Sequence, residues 1–146
     1  MLVNIKKLNE KAKLPTYGTA YSAGCDLYAC MDEDISINPG ETKLIKTGLS
    51  MEIPENYAGL IYARSGLATK KGLAPANKVG VIDSDYRGEV KVPLFNHSNS
   101  TQTITKNERI AQIIFIPDLK ANFIETESLE ETIRGTGGFG STNKNA

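Results

Sequence analysis

At 146 residues the chain has the length of one domain and enough side chains to bury a sizeable core. Lys plus Arg and Asp plus Glu each number 17, so the net charge is zero. That balance excludes a protein that grips nucleic acid through a basic surface, and two cysteines with a single histidine are too few for a Cys/His zinc cluster.

Residues 1–13 are dense in lysine and hold no apolar signal-like run, and the mostly apolar 110–117 is far too short to cross a bilayer. The expectation is a soluble, cytoplasmic chain with no membrane partner. Residues 2–8 alternate apolar and polar and predict a strand, broken by Leu14-Pro15 and Gly18. A short strand follows over 25–29. Cys25 and Cys30 read either as reduced core thiols or as a disulfide, with reduced packing expected in a reducing cytosol. Strands are predicted over 35–37, 42–47, 49–53 and 57–62, separated by the turns Asn38-Pro39-Gly40 and Pro54-Glu55-Asn56. A one- or two-turn helix is predicted from Ser65, its N-cap, to Gly72, suited to the position just past the last turn. Strands at 101–105, 109–116 and 121–126 complete the pattern, and 109–116 is apolar enough to be central. About ten short strands with regular turn punctuation predict an all-β, jelly-roll-like sandwich or barrel with one short helix. Residues 1–133 form the β domain, and 134–146 a flexible glycine-rich arm.

The residues with chemistry in them gather in five places. Residues 80–90 read Gly-Val-Ile-Asp-Ser-Asp-Tyr-Arg-Gly-Glu-Val. The apolar end of one strand, 79–82, leads through a turn marked by Asp85 and Gly88 to an alternating strand at 89–95, which predicts a hairpin with Asp83, Asp85, Tyr86 and Arg87 at its tip. Both aspartates are also ordinary turn-formers. Around the helix start, Arg64, Ser65 and Gly66 offer a guanidinium, a hydroxyl and free amides, a set that suits phosphate oxygens as well as it suits a plain helix cap. Residues 135–140 formally spell G-x-G-x-x-G, but no βαβ unit surrounds them, so they are no dinucleotide fingerprint. They suit an arm whose glycines let backbone approach phosphates, with Arg134, Ser141 and Thr142 as donors and Phe139 as a flat ring for a base. Asp26 interrupts the strand at 25–29, and Gln112 interrupts an apolar strand and needs a partner.

Taken in order, these blocks resemble the five signature motifs of the trimeric dUTPases, the deoxyuridine-triphosphate pyrophosphatases: Ala23-Gly24-Cys25-Asp26-Leu27, Arg64-Ser65-Gly66, the 80–90 stretch, Arg109-Ile110-Ala111-Gln112, and 134–142. Asn107-Glu108 depart from the family's usual Gly-acid pair, yet Asn also tolerates a left-handed turn. The resemblance implies hydrolysis of dUTP to dUMP and pyrophosphate, which limits uracil in DNA and supplies dUMP for thymidylate synthesis. It implies that Asp83 activates a water for in-line attack on the α-phosphorus. Arg64, Ser65, Gly66, Gln112, Arg134, Ser141 and Thr142 would hold phosphates. Asn77, Gly80, Val81, Ile82, Tyr86, Phe139 and Gly140 would hold uracil and deoxyribose. Mg²⁺ would be the cofactor, reached by Asp26 through water, and three chains would form a homotrimer with shared sites. Asp85 and Arg87 are expected to fix the loop. Two alternatives carry the same fold: a dCTP deaminase-like enzyme, whose pattern lacks the Asp-x-Asp-Tyr-Arg-Gly turn, and a non-catalytic jelly-roll binding or regulatory module.

Overall fold

Alternation of apolar and polar side chains is expressed here as twelve short strands and one helix, in a computed structural model that describes residues 1–140. In chain order these are β1 (Asn4–Lys7), β2 (Thr16–Tyr17), β3 (Cys25–Tyr28), β4 (Ile35–Ile37), β5 (Thr42–Lys46), β6 (Leu49–Glu52), β7 (Tyr57–Tyr62), α1 (Ser65–Lys71), β8 (Leu73–Pro75), β9 (Gly80–Ile82), β10 (Lys91–Asn96), β11 (Gln102–Ile104) and β12 (Arg109–Pro117). The largest sheet runs β2-β3-β12-β7-β9, and the second β5-β10-β8, with two-stranded ladders β1-β6 and β11-β4 beside them. Every pairing is antiparallel. The architecture is all-β with one short helix, compatible with a sandwich. Among the described residues no sheet closes into a barrel.

The core follows from the period of two. In β10, Val92 and Leu94 are buried while Lys91 is exposed. Leu27, Ile37, Ile45, Leu49, Ile104, Ile110 and Ile113 are wholly buried and come from six different strands, so one interior joins the sheets. Each such side chain contributes roughly 1.5–3 kcal/mol by leaving water. The central place expected for the apolar strand at 109–116 is the place β12 occupies, between β3 and β7. Cys25 and Cys30 are buried free thiols, and burial is the main cause that pushes both above their ordinary pKa.

Three expectations are corrected. The predicted hairpin around 80–90 does not form, because β9 pairs with β7 while β10 pairs with β5 and β8. The turn therefore carries the chain from one sheet to another. Ser65 is not the N-cap. Arg64 takes that position in an extended conformation, and its carbonyl accepts the first helical bond from Ala68. Residues 121–126 form no strand, since nothing among the described residues pairs with them and Phe123 and Ile124 stand exposed. Among the described residues, the chain beyond β12 adds neither strand nor helix, and Leu119, Phe123, Ile124, Leu129, Ile133 and Phe139 all lie in solvent.

The β5–β6 connection rests on one glycine. Gly48 has φ +68, and a Cβ there would lie 2.8 Å from Cys30 Sγ and 2.9 Å from the Ala12 methyl. Both the backbone conformation and the space exclude a side chain. Gly48→Ala should therefore destabilise the fold by about 2 kcal/mol or more. Chemical denaturation at fixed protein concentration measures it.

Candidate active site

Two clefts hold the residues that the sequence singles out, and they lie at different places on the fold. The first, of about 380 Å³, is lined by Gly18, Ser22, Ala23, Gly24, Asp26, Arg64, Ser65, Arg109 and Gln112. It forms where β3, β12 and the β7–α1 junction meet, since Asp26 and Gln112 face each other across the β3–β12 ladder and Gln112 lies opposite Tyr62 of β7. Gln112 finds the partner it needs: its Nε2 donates to the Ala63 carbonyl at 2.9 Å. Gly24 makes room for that side chain, because a Cβ on it would lie 2.5 Å from Gln112 Oε1.

Charge in this cleft is organised around Asp26, whose side chain is 13% exposed. Arg64 Nε donates to Oδ1 at 2.6 Å, and Arg109 Nη1 donates to Oδ2 at 3.2 Å. Two guanidiniums against one carboxylate leave the cleft with an excess of positive charge. The amides of Ser65 and Gly66, in the first turn of α1, have no intrahelical partners. Cations, free amides and hydroxyls converge here, an arrangement that suits an oxyanion.

Arg109 is the residue that sequence reasoning missed as a site member. Arg109 and Gln112 are three apart, so a regular strand would turn them to opposite faces. The β12–β3 register shifts between Arg109 and Ala111, and this bulge lets both line one cleft. The only sequence signal was the position of Arg109 within the fourth block. Asn107, just before it, has φ 60, the left-handed conformation its residue type tolerates.

The second cleft, also about 380 Å³, is lined by Leu44, Val81, Ile82, Asp83, Tyr86, Glu89 and Lys91. Tyr86 folds back over the turn so that its hydroxyl donates to the Glu89 carbonyl at 3.1 Å. Gly88 lies beneath the ring, where a Cβ would be 2.3 Å from that hydroxyl. Arg87 ties the loop: Nη1 donates to the carbonyls of Ser84 and Tyr86, its own carbonyl accepts from Ser50 Oγ, and Glu52 lies 3.7 Å from its Nη2. Asp85 makes no such bond among the described residues. Lys91, paired with Glu89 at 3.6 Å, is a cation of this cleft that the sequence did not single out. Asn77 caps the approach to β9, its Nδ2 lying 3.2 Å from where a Gly80 Cβ would stand.

The two clefts are separated by the length of β7. Ile82 pairs with Gly59 and Gly80 with Ile61, so Asp83 continues past the beginning of β7 while Arg64 lies beyond its end. Six residues at about 3.3 Å each put them roughly 20 Å apart along the strand. Arg134 curls on itself, Nε donating to the Gly137 carbonyl at 2.8 Å, and Phe139 and Gly140 lie beside neither cleft. Ser141 and Thr142 lie outside the described residues. Among the described residues no three His, Cys, Asp or Glu side chains gather as a metal cage, and both oxygens of Asp26 already accept from arginines. No helix is long and apolar enough to cross a membrane.

Comparison with known proteins gives consistent results. The family model described as dUTPase matches residues 10–143. A deoxyuridine 5'-triphosphate nucleotidohydrolase of Nautilia profundicola is 54% identical over 99% of this chain and 100% of its own length. Its namesake in Acinetobacter baumannii is 49% identical over 94% of this chain and 93% of its own. Among solved structures, a mutant dUTPase of Staphylococcus bacteriophage 80alpha with dUpNHpp superposes with a TM-score of 0.87 at 27% identity, covering 97% of this chain and 98% of that one.

The contact between Gly24 and Gln112 can be tested directly. Gly24→Ala should push the Gln112 amide off Ala63 and weaken oxyanion binding in the first cleft by about tenfold, while stability falls by about 1–2 kcal/mol, because the Gln112 side chain must shift and give up that bond. Titration with inorganic pyrophosphate, alongside a melting curve, separates the two effects.

Proposed function

This chain belongs to the dUTPase family and is a dUTP diphosphatase, and on that premise we propose how its two clefts share the work. The first cleft receives the phosphates through Arg64, Ser65, Gly66 and Gln112. The second receives uracil and deoxyribose against Asn77, the β9 backbone at Gly80, Val81 and Ile82, and the ring of Tyr86. The observation that carries this division is the opposite placement of Arg64 and Asp83 at the two ends of β7. On this reading a single chain does not bring both to one nucleotide, since they stand roughly 20 Å apart along the strand. The phosphate cleft of one copy and the nucleoside cleft of another together make one site, which is the arrangement a homotrimer supplies. The arm, 134–146, closes that site with Arg134, Ser141 and Thr142 on phosphate and Phe139 and Gly140 at the base.

Asp83 acts as the general base. Its carboxylate orients a water in line with the bond to the leaving pyrophosphate and takes the proton as oxygen attacks the α-phosphorus. Positioning and charge neutralisation supply most of the acceleration, because phosphoryl transfer asks for little covalent help. Both Asp26 oxygens already accept from arginines, so a Mg²⁺ would come with the substrate's phosphates, would reach Asp26 only through its own water, and would supply neutralisation of phosphate charge.

Selection follows from shape and pairing. The Tyr86 ring is held over Gly88; set against the deoxyribose, it would leave no room for a 2′-hydroxyl and so refuse UTP. Backbone groups matched to uracil would be left unpaired by cytosine, a mismatch that costs on the order of 10⁴-fold. Thymine is refused by its methyl group.

Asp83→Asn is isosteric and removes only the base. It should nearly abolish pyrophosphate release from dUTP while leaving the affinity for a non-hydrolysable analogue within a few-fold; a variant that keeps most of its activity would overturn the assignment. The shared site has its own test. Arg64→Gln and Asp83→Asn should each be almost inactive, yet refolding them together in equal amounts should restore about a quarter of the wild-type sites, as random mixing of copies requires. Persistent inactivity in mixtures of correct size would show that each site belongs to a single chain.

A further inference from the structure

The second cleft holds a carboxylate for which the chemistry above has no use. Glu89 lines it beside Tyr86 and Lys91, yet its side chain is only 16% exposed. A carboxylate withdrawn that far from water needs partners, and both of its oxygens have them. Oε1 accepts from the Gly48 amide at 3.0 Å, and Oε2 lies 3.6 Å from Lys91 Nζ. We infer that Glu89 is a positioning residue for Tyr86: by bracing the exit of the turn against the β5–β6 connection, it fixes the ring and so sets the preference for deoxyribose over ribose. The inference rests on reading Tyr86 as the group that meets the sugar.

A chain of contacts runs from fixed backbone to the ring. Gly48 has little room to move, because Cys30 and Ala12 crowd it and its carbonyl accepts from the Leu8 amide at 2.8 Å. Its amide then holds the Glu89 side chain. The residue after Glu89 is held as firmly. The Val90 amide donates to the Leu49 carbonyl at 2.8 Å, and the Val90 carbonyl accepts from Thr47 Oγ1 at 2.6 Å, with Val90 and Thr47 both buried. Residues 47–49 thus grip the chain at Glu89 through its side chain and at Val90 through its backbone. The Glu89 carbonyl, fixed between these grips, is the atom that receives the Tyr86 hydroxyl. Tyr86 is 43% exposed, so packing alone does not hold its ring over Gly88, and that bond does. Arg87 ties the tip of the same turn from the surface, whereas Glu89 ties its exit from the interior. Lys91 balances the charge that this inner brace carries.

A brace of purely structural value would, when removed, lower activity towards both nucleotides alike. A brace that positions Tyr86 changes the ratio between them. The experiment measures kcat and KM for dUTP and for UTP in the wild-type protein, in Glu89→Ala, Glu89→Gln and Tyr86→Phe, and in the Glu89→Ala/Tyr86→Phe double variant, with assembly checked by size. Tyr86→Phe keeps the ring and removes only its anchor. Glu89→Ala and Tyr86→Phe should each narrow the kcat/KM preference for dUTP over UTP by about five- to tenfold. The double variant should narrow it no further than either single one, because both break the same chain of contacts. Glu89→Gln keeps an oxygen that accepts from Gly48 and should hold the preference within about threefold of wild type. A preference unmoved in Glu89→Ala, equal losses in Glu89→Gln and Glu89→Ala, or additive losses in the double variant would each overturn the inference. So would an unmoved preference in Tyr86→Phe, even if Glu89→Ala fails to assemble. Failure of the underlying reading shows before any variant is made, as a wild-type protein that hydrolyses dUTP and UTP equally well.

Discussion

The antiparallel pairing of β9 on β7 is the constraint from which the functional arrangement follows. It sends Asp83 and Tyr86 off one end of a six-residue strand while α1, with Arg64 and Ser65, begins at the other. Backbone hydrogen bonds set that register, and side-chain packing locks it. Gly59, opposite Ile82, is crowded by the Ile113 and Ile53 side chains, so the strands cannot slip without moving the core. A reaction that needs both ends of β7 on one nucleotide therefore needs two copies of the strand. In the reading given above, quaternary structure is the way this sheet completes its chemistry.

The same sheet supplies rigidity to the cleft proposed to hold phosphate. β12 lies between β3 and β7, and its buried Ile110, Ala111 and Ile113 anchor it on both sides. Asp26 and Gln112 extend from this anchored backbone, so their side chains have little freedom to wander. The cleft proposed for the nucleoside is built differently. Its loop is tied by Arg87 to neighbouring carbonyls and to Glu52, contacts at the surface that permit adjustment.

Much of this was legible in the sequence, because local patterning governs local structure. Strand β7 and the central place of β12 followed from apolar periodicity and turn residues alone. What the sequence hid was nonlocal. The turn at 83–88 looks like the tip of a hairpin because Asp and Gly favour reversal, but turn chemistry does not say which sheet the next strand joins. That choice is made by Leu94 against Lys43 and Ile82 against Gly59, pairs far apart in sequence. Arg109 escaped notice because a bulge is invisible to a period of two. Ser65 looked like a cap because its residue type is a good one, whereas the extended Arg64, held by Asp26, starts the helix one residue earlier. Residues 121–126 have the composition of a strand and lack a partner among the described residues.

The segment after β12 has a consequence for the newly made chain. Leu119, Phe123, Ile124, Leu129, Ile133 and Phe139 stand in water, on a protein whose net charge of zero gives little mutual repulsion between molecules. Such a segment invites promiscuous sticking. Interleaved with the apolar residues, however, are Glu125, Glu127, Glu130 and Glu131. These carboxylates act as gatekeepers, keeping the tail solvated and discouraging strand-to-strand stacking of tails. The tail carries apolar side chains in water and must remain soluble all the same. Its acidic spacing meets that demand, so expression yield, quite apart from catalysis, is a property written into these glutamates.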